Sequence, residues 1–412
     1  MAKTKKTPEI RFKGFTEEWE ERQLGKIMNV ASAKRIHQSD WTDFGVKFFR
    51  ARDIVSAVKN EEPNDCLYIS KAKYEEYSSI SGKVAIGDML VTGVGTIGVP
   101  FLIRNLEPLY FKDGNIIWFQ NKEIIDDNFF YYSFIGSRIQ DYIHDSAGIG
   151  TVGTYTIESG KKTPISLPQD EEQIKIGCFF QNLDSLIALH QRKHDKLCTV
   201  KKAMLEKMFP KEGADVPEIR FKGFTGKWER RKLGEEKDVR DGTHASPQYH
   251  SEGHPLVTSK NLSDAGLNLS EVSLISDYDF NEINKRSKVG IGDIIFGMIG
   301  TIGNPVVVNR EDISIKNVAL IKNSGSVINE FLIYLFKSNI FNEYIRNEYS
   351  GSTQTFLGLN KIRDFGFLSP KYDEQRRIGS FFQHIDSLIT LHQRELDKLR
   401  NIKKACLEKM FV

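Results

Sequence analysis

Residues 8–25 read PEIRFKGFTEEWEERQLG, and residues 217–234 read PEIRFKGFTGKWERRKLG. A second echo joins residues 168–209 to residues 370–411, identical at 27 of 42 positions, so the repeating unit spans roughly 200 residues. That is too long for a solenoid repeat, and two copies in one chain imply an object with approximate two-fold symmetry. Between the echoes the halves diverge. The offset between matching positions falls from 209 at Pro8 and Pro217 to 208 at Arg52 and Lys260, 205 at Gly98 and Gly303, and 202 at Pro168 and Pro370, which places small deletions in loops.

The second echo predicts a long helix. Residues 170–208 lack proline, Gly177 is their only glycine, and apolar residues recur at Ile176, Phe179, Leu183, Leu186, Leu197, Val200 and Met204. Steps of three and four make a heptad seam. The other copy keeps it at Ile378, Phe381, Ile385, Leu388, Leu399, Ile402 and Cys406. Acidic Asp170, Glu171 and Glu172 open the first helix and Lys201, Lys202 and Lys207 close it, as the helix dipole favours. At 1.5 Å per residue it runs about 55 Å, a spacer's length. Its only equal-length partner is the other copy, so an antiparallel pair is expected. The seam has one polar interruption in each copy, His190 and His392, and these are the candidates for fixing helix-pair register.

Residues 46–54, 88–92 and 115–119 read as strands and 129–143 as a helix; residues 255–262, 293–296, 318–321 and 331–345 repeat that order. The expected architecture is mixed α/β (α+β) and pseudo-two-fold. Two domains, 1–168 and 210–369, alternate with two helical spacers, 169–209 and 370–412.

Hydrophobic residues make up 40% and charged residues 27% of the 412, which fits a water-soluble globular protein with two or three domains. No stretch reaches the roughly 18 apolar residues of a membrane span, and MAKTKKTPEI lacks the apolar region of a signal peptide, so a cytoplasmic location is expected. Cys66, Cys178, Cys198 and Cys406 are scattered, without the spacing of a zinc site or disulfide framework. Net charge is only +3, with Lys and Arg against Asp and Glu at 30 to 30 over residues 1–216 and 28 to 25 over 217–412. Any phosphate contact must therefore come from local patches.

Gly93, Gly95 and Gly98 formally satisfy GxGxxG, the dinucleotide fingerprint. That fingerprint needs a helix directly after the glycines, whereas Pro100 and a strand-like run follow; the second copy, with Gly297, Gly300 and Gly303, breaks the spacing. A glycine-rich hairpin is expected in both. No phosphate loop, HExxH, GxSxG or paired metal-ligand spacing occurs, so no catalytic residue and no metal site is expected.

The duplicated helix, the divergent domains, and the phrases GDMLVTGVGTIG, DGTHASPQYH, LVTSKNL and LPQDEEQIKIGCFF resemble the DNA-specificity subunit of type I restriction-modification systems. The resemblance covers essentially the whole chain. It implies two target-recognition domains, each reading half of a bipartite site in double-stranded DNA, and repeated helices that set the unread spacer and dock two methyltransferase subunits. Restriction subunits, which translocate and cleave, would complete the assembly. It implies no cofactor in this chain, with S-adenosylmethionine, ATP and Mg in partner subunits.

Under that reading Arg50, Arg52 and Lys260 are candidates for phosphate or guanine edges. Lys34 and Arg35 occupy the loop that corresponds to Asp241, Gly242, Thr243 and His244. Thr96 and Thr301 in the glycine turns, and Ser352, Thr353 and Gln354 in the last loop, offer hydrogen bonds to phosphate or adenine. Thr151 aligns with Thr353, but Val152 stands opposite Gln354. The alternative is a coiled-coil scaffold whose two domains bind proteins, favoured by the neutral first half.

Overall fold

A computed structural model describes residues 7–59, 61, 65–147, 153–264, 266–349 and 356–412. The chain divides into two compact units, Met1–Gln191 with Arg394–Val412, and Arg192–Gln393. Each unit therefore contains the first half of one long helix and the last half of the other.

In the first unit a four-stranded antiparallel sheet runs in the order Asn29–Ala31, β3 (Ile116–Gln120), β1 (Met89–Thr92), β2 (Pro100–Leu102). All four β1 residues are buried, which is why this strand reads as a continuous apolar run instead of an alternation. Its pleat still sorts the two faces. Met89, Val91, Ile117 and Phe119 join Phe129, Phe130 and Phe134 of α1 (Asp127–Ile135) in one core, while Leu90, Ile116 and Trp118 pack with Phe48, Ile54 and Tyr110 in another. The long helix α2 (Asp170–Lys207) follows. The second unit repeats the plan with β4 (Ile294–Gly297), β5 (Gly303–Val307), β6 (Val318–Ile321), α3 (Asn329–Lys337) and the long helix α4 (Tyr372–Lys409). There Ile294, Phe296, Ala319 and Ile321 face the α3 core, and Ile295, Val318 and Leu320 face the second.

The opening repeat closes each unit. Glu20–Gln23 pairs antiparallel with Pro164–Leu167, and Glu229–Lys232 with Gly366–Ser369. Arg11 grips the buried Glu172 in a fork of 2.7 and 2.8 Å, and Arg220 grips the buried Glu374 at 2.7 Å twice. The same segments also cap the incoming end of the other helix, with Ile10 N–H donating to the Lys409 carbonyl at 3.0 Å and Ile219 N–H to that of Lys207 at 2.9 Å.

Within each unit the two helix segments run antiparallel, as the first unit's partners show: Phe180 stacks on Phe411 at 5.7 Å, Asp184 meets Lys403 at 2.6 Å, and Gln191 meets Arg400 at 2.9 Å. The heptad seam is only part of what is buried. Phe180 and Phe382 are fully buried, whereas their predicted neighbours Phe179 and Phe381 are half-buried and Leu186 is exposed.

Four elements differ from the sequence expectation. The run 46–54 is a strand, Val46–Phe49, followed by a helix, Ala51–Val58, because the buried Asp53 carboxylate accepts from the Arg50 N–H at 2.8 Å and caps a helix start. Asn261 does the same for Thr258 N–H at 2.9 Å, so residues 255–262 become the strand His254–Val257 and a single 3-10 turn, Ser259–Asn261. Arg52 and Lys260 consequently leave the strands assigned to them. The helices expected at 129–143 and 331–345 each break in two, at Gly136 and Ser338, both with extended backbone. At Ser338 the hydroxyl covers the freed Leu335 carbonyl at 2.6 Å.

Candidate nucleic-acid interface

The glycine motifs are hairpin loops. β1 pairs antiparallel with β2 and β4 with β5, with a strand, not a helix, after the glycines. Gly95 and Gly300 sit at φ 77° and 74° at the loop tips, where an added Cβ would meet nothing within 4 Å, so backbone handedness and not space demands glycine there.

Around each hairpin a backbone ladder collects the other loops. In the first unit Gly93 N–H donates to the Asn115 carbonyl at 2.8 Å, and Tyr155 N–H to the Gly93 carbonyl at 2.9 Å. In the second, Met298 N–H donates to the Asn317 carbonyl at 3.3 Å, and Leu357 N–H to that of Met298 at 2.9 Å. These residues correspond one to one in the repeat, although Gly has become Met and Tyr has become Leu. Main-chain groups carry the ladder, so side chains are free to vary.

The loop after the first sheet strand joins the ladder from the other side. Ser32 Oγ donates to the Ile116 carbonyl at 2.8 Å, Tyr110 Oη to the Lys34 carbonyl at 2.9 Å, and Arg35 Nε lies 3.2 Å from Asp113 Oδ2. In the second unit Asn317 N–H donates to the Thr243 carbonyl at 3.1 Å, and the His244 ring is held between Asn317 Oδ1 at 2.8 Å and Asp241 Oδ2 at 3.0 Å. Asp241 is buried and also receives Arg286. A Cβ at Gly242 would lie 2.3 Å from the Ile315 carbonyl oxygen, so this loop can approach only as glycine. Lys316 Nζ then reaches Ser246 Oγ at 2.7 Å and ties the rest of DGTHASPQYH to the same turn.

Most of the residues proposed from sequence converge on these loops. Lys34, Arg35, Thr243 and His244 lie on the entering loop, and Thr96 and Thr301 lie exposed in the hairpins. Lys260 follows Ser259, whose Oγ donates to the Ile299 carbonyl at 3.1 Å, so its turn rests on the second hairpin. Lys260 is exposed and carries no ion pair among the described residues. Arg50 is different: its guanidinium is committed to Asp53 at 2.7 and 2.9 Å and to the Asp65 carbonyl at 2.6 Å, while the exposed Arg52 shares the Asp65 carboxylate. Arg50 thus serves the helix cap, and Arg52 is held by an exchangeable surface acid. Thr151, Ser352, Thr353 and Gln354 lie outside the described residues; just beyond the last three, Phe356 pairs with Ile299 of the hairpin. His190 and His392 are half-buried, the first in the opening unit's share of α2 and the second in the other unit's share of α4.

Sequence reading missed Asp113, Asn115, Lys316 and Asn317. The signals were present: Asp113-Gly114-Asn115 is a turn sequence, and Asn317 adopts the left-handed backbone, at φ 56°, that asparagine tolerates better than most residues. Chemically each cluster offers exposed hydroxyls and cations beside a half-buried amide on a fixed backbone frame, groups of the kind that read phosphates and base edges. Among the described residues no three His, Cys, Asp or Glu side chains gather as a metal site, and no helix is long and apolar enough to cross a membrane.

A family model described as the type I restriction modification DNA specificity domain matches residues 16–198 and 226–401. The specificity subunit of type I restriction enzyme MjaVIII from Methanocaldococcus jannaschii is 24% identical over 310 residues, 69% of each chain. A putative type I restriction enzyme specificity subunit, MjaX, from the same organism is 22% identical over 405 residues, covering 94% of this chain and 91% of its own. Among solved structures, the S subunit of a type I restriction-modification system from M. genitalium superposes with a TM-score of 0.56 at 14% identity, covering 98% of this chain and 99% of that one. A chain from a structural study of type I complex assembly and conformational transition gives 0.51 at 16% identity, covering 94% and 96%.

Proposed function

This chain belongs to the type I restriction-modification DNA-specificity family, and from that premise we propose that it is the noncatalytic subunit reading an asymmetric, bipartite DNA target. Each unit reads one half of the target with its own loop cluster, and the repeated helices dock two methyltransferase subunits. Restriction subunits complete the assembly, and S-adenosylmethionine, ATP and Mg act in the partners.

One observation carries the reading: the backbone ladder is the same in both units, while the side chains mounted on it differ. Arg35, ion-paired with Asp113, stands where the other unit has His244, held by Asn317 and Asp241. An identical frame with different readers is what two unlike half-sites require, whereas the near-identical helices suit two copies of one partner. The chain's near-neutral charge leaves non-specific attraction to a few local cations, Lys34 and Lys260 among them.

The test is a gel shift of the purified chain, alone and with its methyltransferase partner, followed by sequencing of methylated bases in cells that carry both. A bipartite motif with unlike halves is expected. A palindromic motif contradicts the asymmetry, and absence of DNA binding in both states favours a protein-binding scaffold.

A further inference from the structure

The stripe of α2 on which the recognition domain rests is not the heptad seam. It runs Gln173, Gly177, Phe180, Asp184, at steps of four, three and four, and the second copy repeats it as Gln375, Gly379, Phe382, Asp386. At its start Gln173 Oε1 accepts the Asp126 N–H at 3.1 Å, and Gln375 Oε1 accepts the Ile328 N–H at 3.0 Å, so the first turn of α1 or α3 is fastened to the long helix. At the glycines the two helices touch. A Cβ on Gly177 would lie 2.4 Å from Asp126 Oδ1, and one on Gly379 would lie 2.7 Å from the Glu330 carbonyl oxygen. Next comes an aromatic floor, Tyr132 stacked on Phe180 at 5.0 Å and Tyr334 on Phe382 at 4.8 Å.

Stacking and apolar burial tolerate sliding, because neither is strongly directional. The last contact on the stripe is directional. Tyr132 Oη donates to Asp184 Oδ2 at 2.7 Å, and Lys403 Nζ, from the other long helix, donates to Asp184 Oδ1 at 2.6 Å. In the second unit Tyr334 Oη donates to Asp386 Oδ2 at 2.9 Å and Lys201 Nζ lies 2.6 Å from Asp386 Oδ1. Burial, reinforced by the adjacent carboxylate, holds both phenols well above their ordinary range, so they remain donors at any working pH. Each carboxylate thus joins three parts at one point: recognition domain, its own helix and the end of the other helix.

We propose that Tyr132, Asp184 and Lys403, with their copies Tyr334, Asp386 and Lys201, are positioning residues that fix the angle at which each recognition domain is carried on its helix segments. They act through the loop cluster and touch no base. Because a displacement near 1 Å misplaces hydrogen bonds to base edges, the clamp sets how sharply each unit discriminates its half-site. This rests on the DNA-reading function proposed above.

The experiment uses the chain assembled with its methyltransferase partner and competition binding to DNA carrying one substituted base in either half of the mapped target. Tyr132→Phe and Asp184→Asn should each lower discrimination in one half by about tenfold and leave the other half within about twofold. Tyr334→Phe and Asp386→Asn should show the reciprocal pattern. Lys403→Arg should keep the parental discrimination and Lys403→Met should lose it. Equal loss in both halves, or none, overturns the clamp. Amide exchange of the DNA-free protein gives a second reading: Asp184→Asn should speed exchange in α1 at least about threefold while α3 stays unchanged. Unchanged exchange in α1 sinks the clamp whether or not DNA binds. Failure of the parent complex to bind DNA, with α1 loosened as expected, sinks the DNA reading alone.

Discussion

Lys237 occupies the position that Met28 holds in the first unit, and both are buried. Its ammonium donates to the Ser324 carbonyl at 2.7 Å, yet burial pushes it down from 10.5 to about 8. Below pH 8 both folded and unfolded chains hold this proton, and the folded state bears the cost of a buried charge. Between about 8 and 10.5 the unfolded chain binds more protons, so stability rises with pH across that window. Lys237→Met should therefore raise the stability of the second unit at pH 7 by on the order of 2 kcal/mol and flatten that rise, as denaturant unfolding at pH 7 and 10 will show. For Lys260, exposed and without an ion pair among the described residues, the expectation concerns salt. Lys260→Ala should reduce the slope of log affinity against log salt by about one, and Arg50→Ala should chiefly lower stability, since its partner Asp53 is buried. An unaltered slope for Lys260→Ala removes that residue from the interface.

Elements were legible where a single pattern governs them. Duplication of the long helix, the hairpin against the dinucleotide loop, and the buried β1 and β6 strands all follow from local periodicity and from what Pro100 forbids. Reading failed where a polar side chain, and not the apolar pattern, decides. One carboxylate, Asp53, turns a strand-like run into a helix, and the stripe through Gly177 was hidden because its glutamine and aspartate look like solvent-facing residues until α1 lies across them. The last rung of the ladder, Tyr155 and Leu357, had no signature because main-chain atoms do the work. The hairpin tips give an element-scale expectation. Gly95→Ala and Gly300→Ala should each destabilise by about 1–2 kcal/mol from backbone strain alone, with Gly300→Asn milder, as equilibrium unfolding will measure. Equal, negligible effects for Ala and Asn would contradict the left-handed backbone at the tips.

At the scale of the whole molecule, the α1 core joins the two ends of the chain, and the α3 core joins the end of the first repeated helix to the second copy of the repeat. Phe411 sits among Trp19, Phe129 and Phe180 at 5.7 to 6.4 Å, and Phe209 among Trp228, Phe331 and Phe382 at 5.6 to 6.4 Å. Phe411→Ala should loosen the first unit and Phe209→Ala the second, each by about 3 kcal/mol, read as faster amide exchange confined to one unit. The interlacing also imposes an order on synthesis. A ribosome that has finished residues 1–191 has made nearly everything the first unit needs except the plug that closes it, and that plug, Arg394–Val412, is made only after the whole second unit. At about 5–20 residues per second the open core waits some 10–40 seconds, while the second unit, whose borrowed helix end is made before its own domain, can close as it emerges. The unit begun first is thus completed after the other, and a nonsense mutation near residue 400 would leave the first unit open and spare the second.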